Sequence, residues 1–361
     1  MTVNDFLPQT YVDTLEKGSV SWQSPSNIAL VKYWGKYGEQ LPKNASVSFT
    51  LSACHTTTTL RYIKRATASE AIAFDIYLDG VAVPEFKQKI SQFFERIKGY
   101  MPFVNAYTYV IETSNSFPHS SGIASSASGM SALALCLMSM EREMQPEMTS
   151  VYFNQKSSFL SRLGSGSACR SIEGPLVVWG EHDGIGNSSQ LYGTSYPHEV
   201  HPIFEAYQDT ILLVDKGEKQ VSSTVGHRLM EGHAFAKARF IQAHENLQSL
   251  ESIFKTGDLD AFVALVESEA LTLHAMMMTS HTYFILMKPN TLEIINKIWA
   301  FRKETGSQLC FTLDAGANVH VLYPETEKET VLDFIAKKLA IHCKNGEFIV
   351  DHLGLGAQKV E

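Results

Sequence analysis

The chain has 361 residues, 44% of them hydrophobic and 19% charged, with a formal net charge of −8. This length and composition give room for about two packed domains and exclude a chain too polar to fold. The acidic balance excludes nucleic acid or an anionic membrane as the main partner, because both require a broad basic field, whereas a small phosphorylated molecule needs only a few local lysines and a helix end.

Residues 1–20 are mixed and polar and read as an extension rather than core. SWQSPSNIALVKYWGKYG at 21–38 has a strand-like apolar centre, Ile28 to Val31, followed by Lys32, Tyr33, Trp34 and Lys36 before a glycine turn. Two readings stay open for these lysines: an edge strand reaching for solvent, or ammonium groups set against an anion. Residues 45–63, 71–78 and 106–112 alternate and are rich in β-branched types, which predicts an antiparallel sheet. Between them, QKISQFFERIKGY at 88–100 places Ile90, Phe93 or Phe94, and Ile97 on one helical face.

The stretch SFPHSSGIASSASGMSALALCLMSM at 116–140 runs from a turn of small residues into a helix of apolar and small side chains. Without bulky side chains at Ser120, Ser121, Gly122, Ala124, Ser125 and Ser126, several backbone N–H groups can approach one oxyanion. A helix starting near Ala124 adds unpaired N–H groups and the positive end of its dipole, which together make a phosphate cradle. Tight packing of a helix on a sheet produces the same small residues, so the string alone leaves both readings open. No G-x-x-x-x-G-K-[ST] occurs, and neither GSGSAC at 164–169 nor GIGNSS at 184–189 supplies the third glycine of a dinucleotide fingerprint.

Residues 154–174 read as a helix entering a second small-residue turn, with PLVVWG after it as a buried strand. Arg170 stands in that turn, either paired with a surface carboxylate or holding a substrate carboxylate in its planar fork. The polar run around Pro197 to Pro202 approaches a domain boundary, and DTILLVD opens the second half. One long helix is expected over 221–254, with Phe240, Leu247, Leu250 and Phe254 on one face, and a shorter one over 258–278 whose Met276, Met277 and Met278 fill core. After a helix at 290–304, strands QLCFTL and NVHVLY flank the turn Asp314-Ala315-Gly316-Ala317, and a helix at 326–340 precedes strand EFIV. Asp314 suits ordinary hairpin chemistry as well as a catalytic base.

Five cysteines, Cys54, Cys136, Cys169, Cys310 and Cys343, are odd in number and widely spaced, which predicts buried free thiols in a reducing cytoplasm. The N-terminus lacks the pattern of a signal peptide, and no later apolar run approaches the ~18 residues of a membrane span. The pairs His198 and His201, and His227 and His233, lack the spacing of a zinc helix and are expected at the surface. No G-x-S-x-G elbow supports a serine hydrolase.

Six strings in order, SNIALVKYWGK, NASVSFTLS, SNSFPHSSGIASSASG, SGSACRS, VSSTVG and TLDAGAN, resemble the diphosphomevalonate decarboxylase family over Asn27 to about Gln358. That family lies in the superfamily of galactokinase, homoserine kinase and mevalonate kinase. KYWGK and GSGSACRS make the resemblance specific, since a generic member would share only the serine-rich turn and the late Asp-Ala-Gly.

The resemblance implies a two-domain α+β fold of this kinase type, with a ribosomal protein S5 domain 2-like N-terminal half over 1–205, a ferredoxin-like C-terminal half over 206–361, and the active-site cleft between them. It implies phosphorylation of the tertiary 3-hydroxyl of mevalonate 5-diphosphate by ATP with Mg2+, then loss of phosphate and CO2 to give isopentenyl diphosphate. By the same resemblance Asp314 acts as base, Lys32 pairs with it, and Arg170 holds the substrate carboxylate. Asn27, Tyr33, Lys36, Ser165, Ser167 and Ser223 line the substrate site; Ser120 to Ser126 hold the ATP phosphates; Mg2+ bridges them, with Ser125 as a candidate protein ligand. A homodimer is expected from relatives. The alternatives are a relative acting on the 5-monophosphate, a mevalonate-type kinase that only phosphorylates, and a silent binding module. Two departures stand out: His119-Ser120-Ser121-Gly122 where the family usually has Thr-Ala-Ala-Gly, and Ala317 where it usually has proline, which leaves the Asp314 turn less rigid.

Overall fold

The longest β-branched stretch, 45–63, folds into the longest strand. The computed structural model describes residues 1–8, 11–118, 123–215 and 223–360. In chain order the first part contains β1 (Lys17–Val31), β2 (Lys36–Tyr37), β3 (Leu41–Pro42), β4 (Ser46–Lys64), β5 (Ala73–Leu78), β6 (Val81–Ala82), α1 (Lys87–Ile97), β7 (Tyr107–Asn115), α2 (Ser125–Met144), α3 (Ser150–Gly164), β8 (Leu176–Trp179) and β9 (Thr194–Ser195). The second contains β10 (Gln208–Leu212), α4 (Ser223–Arg228), α5 (Ala236–Thr256), α6 (Leu259–Met278), α7 (Pro289–Thr305), β11 (Cys310–Thr312), β12 (Val319–Tyr323), α8 (Lys328–Phe334), β13 (Phe348–His352) and β14 (Gln358–Lys359).

Among the described residues the first sheet has the strand order β14-β1-β4-β7-β5-β6, with β8 and β9 joined to the far part of β4, and the second has the order β11-β12-β10-β13. The result is an α+β fold. Helices α1, α2 and α3 cover one face of the first sheet through Phe93, Phe94, Leu133, Leu137, Phe159 and Leu160, all buried. At the other end of β1 and β4, Ile28, Leu30, Val31, Val47 and Phe49 form one apolar cluster with Tyr207, Ile211, Leu247, Phe254, Phe262 and Leu322. That shared core ties the second part to the first and brings the C-terminal end of β1 against α5 and α6. The tail crosses back as well: β14 pairs with β1, and Leu353 bridges Leu51.

Several expectations are corrected. β5 and β7 run parallel, because the chain between them passes through β6 and α1, a crossover long enough to return in the same direction. The helix expected over 221–254 is two, α4 and α5, separated by a turn in which Gly232 takes φ +70°. Residues 1–20 contribute core, since the Phe6 ring is fully buried and stacks on Phe159 at 4.4 Å. An apolar run of span length does exist: α6 contains an 18-residue stretch of mean hydropathy 1.3, 56% of it buried inside the protein. That helix also carries Glu267 and Glu269, ion-paired with Arg302 and Arg239, so its hydropathy reflects a position between two layers of core. Of the three methionines, Met276 and Met277 are buried and Met278 is 39% exposed. All five cysteines are buried and free.

Candidate active site

β1 delivers two of the site residues. Its register with β4 shifts between Pro25 and Asn27 and again between Ala29 and Val31, and such bulges turn a strand and re-aim its side chains. Lys32 follows directly. It is 2% exposed, so the edge-strand reading fails, and its Nζ lies 3.5 Å from Asp314 Oδ1, whose side chain is 33% exposed. Burial lowers the Lys32 pKa from the usual range; Asp314 and Glu269 oppose that shift and Arg170 adds to it. The Lys32 peptide is held on both sides. Its N–H donates to Glu269 Oε2 at 2.8 Å, and its carbonyl accepts from Arg239 Nη2 at 2.8 Å and Asn44 Nδ2 at 3.0 Å. Arg239 and Glu269 form a two-pronged, fully buried pair, to which Asn246 Nδ2 adds a 2.6 Å bond.

Asp314 stands in the turn between the paired strands β11 and β12. Its carbonyl accepts from Gly316 N–H at 2.7 Å and lies 3.1 Å from His274 Nε2. Further along, the Ala317 carbonyl accepts from Thr291 Oγ1 at 2.7 Å, while the Asn318 amide side chain bonds both Asp215 N and Asp215 O. Hairpin and site are therefore the same object.

Arg170 lies in a 3-10 turn at Gly166–Ser171 and is 3% exposed. Among the described residues it has no ion pair with a carboxylate, which rules out surface pairing. Its Nη1 donates to Ser46 Oγ, its Nε is buried without a hydrogen-bond partner, and its guanidinium lies 5.2 Å from the Tyr33 ring centroid. Burial lowers its pKa, and Cys169, Tyr33 and Asp314 counteract that. A cation so enclosed is placed for an anion that arrives later.

The loop after Lys32 packs on the same turn. A side chain at Gly166 would stand 2.9 Å from Trp179, 3.1 Å from the Tyr33 hydroxyl and 3.4 Å from Lys36 Cε, so only glycine allows this approach. Burial pushes the Tyr33 phenol up, offset by Arg170 and a hydrogen bond with Ser167. Lys36, half-buried, has its pKa pushed down to about 8, first by burial and then by Lys89 and Arg96. Asn27 Nδ2 donates to Ser167 O at 3.2 Å and Ser171 Oγ at 2.8 Å, which leaves its Oδ1 buried and unpartnered.

α2 enters from the other side. Its N-cap, Ala124, takes φ 43° with no side-chain cap, so the first N–H groups of a twenty-residue helix have no internal acceptor. Ser126 Oγ and Ser165 Oγ are 3.3 Å apart, which joins the start of α2 to the turn that carries Arg170; Ser125 beside them is half-buried. His119, Ser120, Ser121 and Gly122 lie outside the described residues, as does the side chain of Ser223.

The structure thus brings Lys32, Asp314, Arg170, Asn27, Tyr33, Lys36, Ser165, Ser167 and the start of α2 to one region. Sequence reasoning missed Glu269, Arg239 and His274, which act on the backbone of distant segments and carry no local signature. It also misplaced His227, which is 5% exposed and stacked on Tyr33 at 4.7 Å, with Nδ1 accepting from Gly35 N–H at 3.0 Å.

A helix N-terminus, a carboxylate beside an ammonium and a buried guanidinium, drawn from both parts of the chain, mark the class: a two-domain α+β protein whose pocket is built for an anionic ligand. Comparison with known proteins narrows it. A diphosphomevalonate decarboxylase-like N-terminal domain model matches residues 24–190 and a mevalonate 5-diphosphate decarboxylase C-terminal domain model matches residues 210–357. The chain belongs to the diphosphomevalonate decarboxylase family. The diphosphomevalonate decarboxylase of Ganoderma lucidum is 28% identical over 336 residues, 87% of this chain and 80% of its own. That of Bos taurus is 27% identical over 332 residues, 88% and 79%. Mevalonate diphosphate decarboxylase from Staphylococcus aureus superposes with a TM-score of 0.80 at 26% identity, covering 96% of this chain and 98% of that one. MDDEF in complex with MVAPP, AMPPCP and magnesium gives 0.80 at 27% identity, covering 95% and 99%.

Proposed function

We infer that the chain catalyses ATP-dependent decarboxylation of mevalonate 5-diphosphate to isopentenyl diphosphate, with release of ADP, phosphate and CO2. The observation that carries this reading is the approach of Lys32 Nζ to Asp314 Oδ1 at 3.5 Å beside an Arg170 that has no carboxylate partner among the described residues.

A tertiary alcohol is a poor nucleophile, so a carboxylate must take its proton as the oxygen bonds to the γ-phosphorus and the bond to ADP breaks; Asp314 has that role. Lys32 keeps positive charge beside the acid and offsets negative charge growing on the transferred group. The C3–O bond then breaks with its electron pair leaving on phosphate. The electrons of the carbon–carboxylate bond move to form the double bond, and CO2 departs. Arg170 grips the carboxylate by two parallel bonds until it becomes a neutral gas, which needs no cation. The orphaned Arg170 Nε and Asn27 Oδ1 fit a ligand that supplies their missing partners. Tyr33, Lys36, Ser165, Ser167 and Ser223 take the diphosphate. Ser120, Ser121, Gly122, Ala124, Ser125 and Ser126 hold the ATP phosphates, with Ser125 the candidate protein ligand for Mg2+. When bound, Mg2+ neutralises phosphate charge and orients the γ-phosphoryl group.

The division into 1–205 and 206–361, a homodimer and a cytoplasmic setting that suits five free thiols complete this reading. A product assay tests it: with ATP and Mg2+, mevalonate 5-diphosphate yields isopentenyl diphosphate and one CO2 per ADP, while the 5-monophosphate offered in parallel yields far less. ADP without CO2, or a preference for the monophosphate, overturns it.

A further inference from the structure

We propose that His274 is a positioning residue for this reaction: from α6 it fixes the Asp314 backbone, while Glu269 of the same helix fixes the backbone of Lys32. The proposal rests on the reading of Asp314 as the base.

Lys32 and Asp314 are 282 residues apart in sequence, follow strands of two different sheets, and meet at a distance near the limit of a hydrogen bond. A misplacement of about 1 Å at such a pair costs on the order of a hundredfold in rate. Something must hold the two segments to a common frame, and α6 touches both. Glu269 accepts from Lys32 N–H at 2.8 Å; five residues on, about 7.5 Å along the axis, His274 Nε2 meets the Asp314 carbonyl at 3.1 Å. A carbonyl only accepts, so the proton lies on Nε2 and the imidazole is the donor. His274 is 1% exposed, and burial, with Lys32 nearby, pushes its pKa down to about 4, so at neutral pH it is uncharged and adds no cation beside Lys32.

Nothing covalent stiffens the turn, since Ala317 leaves φ free where a proline would lock it. The Gly316 N–H bond to the Asp314 carbonyl is local to the turn and moves with it. The His274 bond reaches outside and ties the turn to the helix that clamps Lys32.

The test is steady-state kinetics of the full chain with Mg-ATP and mevalonate 5-diphosphate, comparing wild type with His274→Leu, His274→Gln and His274→Asn. Loss of one positioning hydrogen bond is expected to lower kcat roughly tenfold to a hundredfold in the Leu variant, with KM for both substrates changed less than about threefold. The Gln variant, whose amide N–H reaches the place of Nε2, recovers most of the rate, and the shorter Asn does not. If the Leu variant does not fold, the Gln and Asn pair decides. Equal kcat in folded Leu and wild type, equal kcat in Gln and Asn, or a loss lying wholly in KM overturns the proposal. Failure of wild type to release CO2 would instead overturn the functional reading itself.

Discussion

At the scale of residues, the candidate site buries two cations, one beside Asp314 and one with no ion pair among the described residues. Arg170 and Lys32 are 3% and 2% exposed, and each has its pKa lowered by desolvation. Lys36 shows the effect at a measurable pH. With its pKa pushed down to about 8, it is charged below that value and neutral above it. A lysine that must be charged to bind a diphosphate makes kcat/KM fall tenfold per pH unit above about 8, mainly through a rising KM. A Lys36→Arg variant keeps its charge and moves this limb to higher pH; an unchanged alkaline limb would remove Lys36 from substrate binding. Lys32, Arg170 and Asp314 were legible in the sequence because each stands inside a distinctive string. Glu269, Arg239 and His274 were not, because their partners are backbone atoms 237, 207 and 40 residues away.

Among elements, α6 joins the most functions: apolar core, the Glu269 clamp, the His274 anchor, and the Met276 and Met277 side chains packed with Trp34. Its fully buried Arg239–Glu269 pair is costly to break, since removing one partner of such a pair costs about 3–5 kcal/mol. His274 also gives it a pH signature. Above pH 6.5 neither folded nor unfolded chain protonates this imidazole. As pH falls from 6.5 towards about 4 only the unfolded chain binds the proton, so stability is lost across that window, at most about 3 kcal/mol from this group. Thermal unfolding between pH 7 and 4.5 should therefore show a smaller acid-dependent fall in His274→Gln than in wild type; parallel curves would contradict a neutral buried imidazole. Element types were readable from periodicity, as in α1, where Ile90, Phe93, Phe94 and Ile97 are all buried. The parallel pairing of β5 with β7 was not, because alternation shows which face is buried and leaves strand direction to the connection. The break before α5 likewise depends on one residue, Gly232, inside an otherwise helical pattern.

For the whole molecule, the proposed mechanism makes catalysis depend on both parts of the chain at once. β1 supplies Lys32, the Gly166–Ser171 turn supplies Arg170, α2 points its N-terminus inward, and the β11–β12 turn brings Asp314 against them. The apolar cluster that joins Val31 and Phe49 to Ile211 and Phe262 holds these pieces together, so the reacting groups sit above a packed core. In the proposed mechanism the Asp314 carboxylate takes the alcohol proton, and Asp314→Asn removes that ability with almost no change in volume. The measurement is paired: ATP binding by titration calorimetry and CO2 release from mevalonate 5-diphosphate. The account predicts that ATP still binds with near wild-type affinity while CO2 release falls by roughly a thousandfold; full turnover in that variant would contradict it.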